Sequence, residues 1–460
     1  MPKTTFVQTN FTAGEVSPRL YGRTDLTKYG NGVALQKNFI TMKHGGAVRR
    51  PGTKFVAEVK DSTKTVRLIP FQFSTVQAYV LEFGEEYIRF YRGNGRVESP
   101  PGTPVEVSSP YQEDELKELK YTQSADILFI THENHEPMEL QRTSDTSWAL
   151  VEYDYKDGPY LPTNTGVTTL NPSATTGAGI TITASAVTDI NDGDGFKSTD
   201  VGRLVRIEHG GEWGYAKITA FTDTTHVTAD VKEDFDAATA QTSWRLGAWS
   251  DTTGWPVVCE FHHQRLWFAG TTDKPQTLWA SVVGDFENFE PTAADGTVAD
   301  DDGLTYTIDD DEVNAVRWLV SGVRGLMIGT EDAEFIGAAS SAFDPITPSN
   351  FRTSRHSFHG SDANVGPQPV GIALLFCQHF ARKVREFVYS FDQDQFVAPD
   401  LTILSEHITQ TKIIDSAYQQ EPNSVYWALL TDGTLIGCTY EREQEVIAWH
   451  RHVIGGRIVE

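Results

Sequence analysis

Ser424-Val425-Tyr426-Trp427-Ala428-Leu429-Leu430, then Thr431-Asp432-Gly433, then Thr434-Leu435-Ile436-Gly437-Cys438-Thr439-Tyr440 is the stretch whose reading decides the fold. Two apolar, β-rich runs flank an Asp-Gly pair. Asp-Gly tolerates the positive φ of a tight turn, so the spacing predicts an antiparallel hairpin of fixed register. Weaker copies precede it: Tyr79 to Phe83 before Tyr87 to Tyr91, Ile127 to Thr131 before Met138 to Leu140, and Leu266 to Ala269 before Leu278-Trp279. Two more follow these, Leu326 to Ile328 before Phe335-Ile336, and Ile372 to Phe376 before Phe387 to Tyr389. Most copies are announced by a short apolar strand carrying an aromatic, at Phe73, Tyr121, Phe261, Trp318 and Tyr418.

The copies begin at 79, 127, 266, 326, 372 and 425. Setting aside residues 165 to 248, whose composition differs, leaves a period of roughly 40 to 60 residues, that of β-propeller blades. The expected fold is all-β: a β-propeller of about six or seven blades with an inserted small β-barrel domain and an extended N-terminal arm. The expected segments are a basic arm at 1–62, first blades at 63–163, the barrel at 164–249 and the remaining blades at 250–460. A two-sheet sandwich with meander spacing is the competing reading.

Composition sets the bounds. The 460 residues exceed one ordinary core, and 39% hydrophobic with 11% aromatic residues suits a packed β protein. No apolar run approaches a membrane span, and the first residues open no signal peptide, which implies manufacture in a cytoplasm. Cys259, Cys377 and Cys438 each fall inside an apolar run, as buried thiols do. Net charge is −25, but residues 1–60 hold ten Lys/Arg against three acids. That asymmetry points to a basic arm that docks on an acidic surface.

The arm runs Asn10-Phe11-Thr12-Ala13-Gly14-Glu15-Val16-Ser17-Pro18-Arg19-Leu20-Tyr21-Gly22-Arg23-Thr24-Asp25-Leu26, and closes with Asn38-Phe39 and Gly45-Gly46-Ala47-Val48-Arg49-Arg50-Pro51-Gly52-Thr53. Turns dominate it, with one helix expected from Thr24 to Asn38, broken by Gly30 and Gly32. These motifs resemble the amino-terminal signature of phage virion "stabilisation" proteins and, more loosely, of tail nozzle (tail tubular protein B-like) proteins of short-tailed phages. The resemblance implies a structural virion protein at the phage tail: six copies in a ring around a DNA ejection channel, docked to the portal adaptor at the head–tail connector, with a tail fibre or tailspike as a further partner. Arg19, Arg23, Arg49 and Arg50 are the expected docking residues, since arginine pairs bidentately with carboxylates. The segment 164–249 is similar to a small β-barrel labelled in that family after a ubiquitin-activating half-domain, from which no chemistry follows.

Catalytic and metal patterns fail on spacing. Placing Gly303 sixth in a calcium loop puts Val298 first and Asp309 last, which lacks the required oxygen donor at the start, so Asp300-Asp301-Asp302 with Asp309 to Glu312 reads as a solvated loop. His132-Glu133-Asn134-His135 lacks a His four places after the first, and His262-His263 point to opposite faces. His450 and His452 share a strand face, as a metal pair or as satisfied interface histidines. No enzyme, cofactor or metal is therefore expected. The alternative function is a β-propeller that binds or cleaves glycans for host adsorption; a head-completion or scaffold protein is the third reading.

Overall fold

The computed structural model describes residues 7–74, 77–311, 313–341 and 344–454. The architecture is all-β and propeller-like, made of repeated antiparallel sheets whose strands follow one another in sequence. Its residues group into two compact units: 1–118, 329–335 and 355–460 in the first, and 119–328 with 336–354 in the second.

In the first unit the hairpin around Asp432-Gly433 joins Val425–Leu430 to Leu435–Glu441, with Val425 opposite Thr439 and Leu429 opposite Leu435. Gly433 has φ +78°, and the Asp432 side chain accepts from the Thr434 amide at 2.9 Å, which fixes the turn. Ile413–Gln419 and Val446–His452 complete this sheet on either side. Two further meanders belong to the same unit. One runs Arg67–Ser74, Gln77–Gly84, Tyr87–Arg92 and Gly95–Arg96, and the other Gln368–Val370, Ala373–Cys377, Val384–Ser390 and Gln395–Val397. Apolar residues alternating inward along the strands between Gln368 and His452 build one core around Leu375, Val384, Tyr426, Ile436 and Trp449.

The N-terminal arm lies on its own chain. Gly14–Glu15 pairs in parallel with Gly32–Val33, and Gly14 also pairs with Trp449 of the last strand. A Cβ at Gly14 would stand 2.5 Å from the Trp449 amide nitrogen, and its φ is +61°, so only glycine fits. The fully buried Glu15 carboxylate takes the Gln36 amide at 2.9 Å, His407 Nε2 at 2.8 Å and the Arg451 guanidinium. Ser17 caps the short 3₁₀ turn Pro18–Leu20. The final strand Val446–His452 therefore has a partner on each side. The helix expected over Thr24 to Asn38 is only a 3₁₀ turn at Thr27–Asn31, because Gly32–Val33 is drawn into the strand beside Gly14. Phe39–Thr41 and Ala47–Arg49 form a small hairpin of their own.

The second unit contains the meanders Lys120–Ser124, Ile127–His132, His135–Ser144, Ser147–Glu152 and Val258–His262, Arg265–Ala269, Thr277–Ala280, Leu304–Thr307. Between them in sequence stands a six-stranded sheet, in the order Leu170–Pro172, Ile180–Ala184, His226–Glu233, Glu212–Asp223, Leu204–His209, Trp244–Leu246. Leu170 exchanges both backbone bonds with Gln241 at 2.9 Å, so the sheet curls back on itself as a half-barrel. Its interior is filled by Ile182, Phe196, Val205, Ile207, Val227 and Trp244. Where the chain leaves this sheet, Trp249 is buried with its ring 5.0 Å from Phe268 and 5.2 Å from Phe289 in edge-on contacts. The strands Val316–Gly322, Gly325–Thr330, Glu334–Ala338 and Arg352–Ser357 form a further four-stranded sheet. Among the described residues no helix is long and apolar enough to cross a membrane.

Candidate functional site

The second unit holds a polar cleft of about 300 Å³ beside the half-barrel. It is built from the loop before the strand Leu204–His209. Ile190-Asn191-Asp192-Gly193-Asp194-Gly195 folds back tightly: the amides of Gly193 and Gly195 both reach the Ile190 carbonyl at 3.0 Å. Asn191 and Asp192 sit at φ +49° and +57°, a left-handed conformation that Asn and Asp bear better than other side chains. The Asn191 side chain spans the loop, its Nδ2 donating to the Gly195 carbonyl at 2.9 Å and to Asp200 at 2.8 Å.

Arg203 closes this loop from beneath. Its side chain and that of Asp200 are both fully buried and form an ion pair at 2.8 Å. Nη1 also donates to Asn191 Oδ1 at 2.8 Å, and Nε to the Gly247 carbonyl at 2.7 Å. Among the described residues Nη2 has no hydrogen-bond partner, and the residue borders the cleft from below the surface. A buried donor left unpaired costs roughly 1–3 kcal/mol, so such a group is expected to have a use. Burial pulls the Arg203 pKa down, while Asp200 holds it up.

Asp189, Asp192, Asp194 and Asp273 supply carboxylates around the cleft, with Lys197, Lys274 and Asn164 among them and Leu161 and Pro162 as apolar wall. Lys197 pairs with Asp194 at 2.9 Å and Lys274 with Asp273 at 3.0 Å. The Thr168 amide donates to Asp189 at 2.8 Å and holds its carboxyl below the usual range. Among the described residues of the cleft, no three carboxylates bring their oxygens together as a metal ion would require.

A second buried arginine stands nearby in the chain. Arg206 donates to the Thr292 carbonyl at 2.7 Å and to its hydroxyl at 3.2 Å, and lies 5.8 Å and 5.4 Å from the Tyr160 and Trp213 ring centres. Asp157 is 3.5 Å away, and burial raises its carboxyl pKa despite that cation.

The residues singled out in the sequence lie elsewhere. Arg19 pairs with Glu406 at 2.7 Å and Arg23 with Asp25 at 2.8 Å, Arg49 is exposed on the small hairpin, and Arg50 reaches the Pro51 carbonyl at 3.0 Å. His450 and His452 do share a face, but His450 Nδ1 and His452 Nε2 bond to each other at 2.6 Å, and burial pushes them down to about 3 and about 4. The three cysteines are buried and unpaired, and burial lifts the Cys377 thiol to about 12. Buried Arg265 gathers the carbonyls of Asp300 and Asp302 at 2.9 Å and 2.6 Å, so backbone bonds organise that stretch of the acidic block; Glu312 lies outside the described residues. Asn191, Asp200 and Arg203 were not singled out. Their only signal in the sequence is the Asn-Asp-Gly-Asp-Gly run.

No protein-family profile matches the chain, and no curated protein does. Among solved structures, a 6-phosphogluconolactonase candidate from Bacteroides fragilis is similar over 78% of this chain and 88% of its own, at 10% identity and a TM-score of 0.34. The β-propeller domain of Cps50 (Swd1) from Myceliophteria thermophila is similar over 80% and 96%, at 8% identity and a TM-score of 0.33. The Dos1 propeller is similar over 77% and 73%, at 10% identity and a TM-score of 0.32. Scores this low carry nothing about function. None of these is a phage protein, and the kinship with virion stabilisation and nozzle proteins, with the ring around DNA and the connector docking it implied, does not stand. The physical reason lies in the arm. Its Gly-Glu-x-Ser-Pro residues make a close backbone approach, a buried anion and a cap within this chain, requirements that turn-rich segments share without common descent.

Proposed function

We propose that this chain is a non-enzymatic glycan-binding protein, in which the four-stranded meanders, six of them, are blades of one propeller and the segment 164–249 is an inserted barrel carrying the binding cleft. The observation that carries the reading is the 300 Å³ cleft itself, where Asp189, Asp192, Asp194 and Asp273 alternate with Lys197 and Lys274 above the buried Arg203–Asp200 pair. A sugar presents many hydroxyls, each both donor and acceptor. Carboxylates and cations interleaved around one cleft meet that pattern, and Leu161 and Pro162 offer apolar surface to the C–H faces of the ring. Binding is favoured over cleavage at this cleft, because a general acid needs a raised pKa and that of Asp189 is lowered.

Titration calorimetry of a glycan-array hit against the wild type and the exposed-position variants Asp192→Asn and Asp273→Asn tests it. The expected result is micromolar to millimolar binding that weakens at least tenfold in either variant. Absence of any glycan ligand, or binding indifferent to both changes, would overturn it. Cleavage is the second reading, favoured by one observation: burial raises Glu136 to about 7 in the company of Glu152 and Asp251. Release of reducing ends from a bound polysaccharide, abolished by Glu136→Gln, would replace the binding reading.

A further inference from the structure

The first unit has a second cavity, of about 430 Å³, walled by three segments. The hairpin turn between Ala373–Cys377 and Val384–Ser390 gives Gln378, Phe380, Arg382 and Lys383; the loop after Gln395–Val397 gives Asp400, Ile403 and Glu406; the arm gives Arg19. The hairpin turn is rigid. Gln378 N–H donates to the Lys383 carbonyl at 2.9 Å, and buried Ala381, at φ +51°, donates to the Gln378 carbonyl at 2.6 Å and accepts from the Ile413 amide at 2.8 Å. Thr409 Oγ1 donates to the Arg382 carbonyl at 2.8 Å, tying the loop to the turn.

This framework holds out side chains that solvent does not favour. Phe380 is 67% exposed and Ile403 66%. Arg19 is paired with Glu406 and Lys383 with Asp400, at 2.7 Å and 3.2 Å, but the Arg382 guanidinium has no ion-pair or hydrogen-bond partner among the described residues. The chain carries 63 acids against 38 Lys and Arg, so an unpaired cation sharing one cavity wall with two exposed apolar side chains is an unusual surface for it.

We propose that this groove docks an acidic segment of a partner protein, with a carboxylate on Arg382 and an apolar side chain seated between Phe380 and Ile403. Arginine offers a carboxylate two parallel N–H groups, and the flanking Arg19–Glu406 and Lys383–Asp400 pairs exclude a second anion at close range while leaving the central one uncontested. Sugar binding at the Arg203 cleft is a separate matter, and each can fail alone.

The test is selection of a random dodecapeptide display library on the wild type, with counter-selection on Arg382→Glu/Phe380→Ser. Both positions are on the surface, and the variant's circular dichroism and melting are expected to match the wild type. Enriched peptides are expected to place Asp or Glu one to three residues from Leu, Ile or Phe. Their synthetic forms should bind at least tenfold more weakly to Arg382→Glu alone and more weakly with added salt. The proposal is overturned if no peptide distinguishes wild type from variant, or if the enriched peptides lack acids. It is equally overturned if the wild type sediments as a dimer that Arg382→Glu dissolves, since the occupant is then a second copy.

Discussion

Arg203 and Arg206 are three residues apart, both fully buried, and they are held in different ways. Arg206 is enclosed, lying against two aromatic rings with its hydrogen bonds on Thr292 and its partner anion at 3.5 Å. Arg203 makes a tighter ion pair, at 2.8 Å, and among the described residues each arginine keeps one buried N–H without a hydrogen-bond partner, Nη2 in Arg203 and Nε in Arg206. The difference is geometric. Arg206 lies within the strand Leu204–His209, whereas Arg203 precedes it, its amide bonded to the Asp200 carbonyl at 3.0 Å. Burial and one unmatched N–H are common to both arginines, so what distinguishes them is the surrounding each guanidinium is given: a carboxylate and a loop amide for Arg203, two aromatic rings and a threonine for Arg206.

The largest expected effect is Arg203→Met. It strands the Asp200 carboxylate without its cation in a buried site, and a loss of about 3–5 kcal/mol in urea unfolding is expected. Arg206→Met should cost less, about 1–3 kcal/mol, because Tyr160 still donates to Asp157 and the methionine keeps contact with both rings. Equal losses would break the contrast. Gly166→Ala comes next: a Cβ there would lie 2.2 Å from the Asp189 carboxyl, which must swing away and lose the Thr168 amide at a cost of about 1–2 kcal/mol.

Acid and base should separate the two regions as well. The Asp157 pKa is raised on folding, chiefly by burial, so its contribution is present at low pH and lost as pH climbs from the unfolded value through the folded one. Asp189 is lowered by the Thr168 amide, so its contribution is present above the unfolded value and lost as pH falls through the folded one. Asp157→Asn should flatten the stability profile on its rising-pH side and Asp189→Asn on its falling-pH side, read from melting temperatures between pH 3 and 8. The reverse assignment would sink the account of both sites. The smallest effect is Lys274→Ala, which should change stability by no more than about 0.5 kcal/mol while weakening any ligand of the cleft.

The hairpin at 425–441 was legible because a turn and its flanking strands are local: Asp432-Gly433 and the two apolar runs suffice. The strands of the curled sheet were legible for the same reason, since Ile180 to Thr183 and Leu204 to Ile207 carry their own patterns. The arm was misread. Its glycines, Pro18 and arginines signalled an extended segment, but nothing local says that Gly14 meets Trp449 or that Glu15 meets His407 and Arg451, more than 390 residues away. The cleft was illegible by the same rule, because Gly247 and Asp273, 44 and 70 residues further on, come beside Arg203 only in the folded chain.

By itself, then, the sequence determined the all-β class, the recurring meander and the burial of its thiols, all of which follow from short-range hydrophobic patterning and turn chemistry. Tertiary structure alone decided which surface the basic arm covers and which of two neighbouring arginines lies against aromatic rings. Both depend on contacts between residues distant in the chain, which local propensity does not encode.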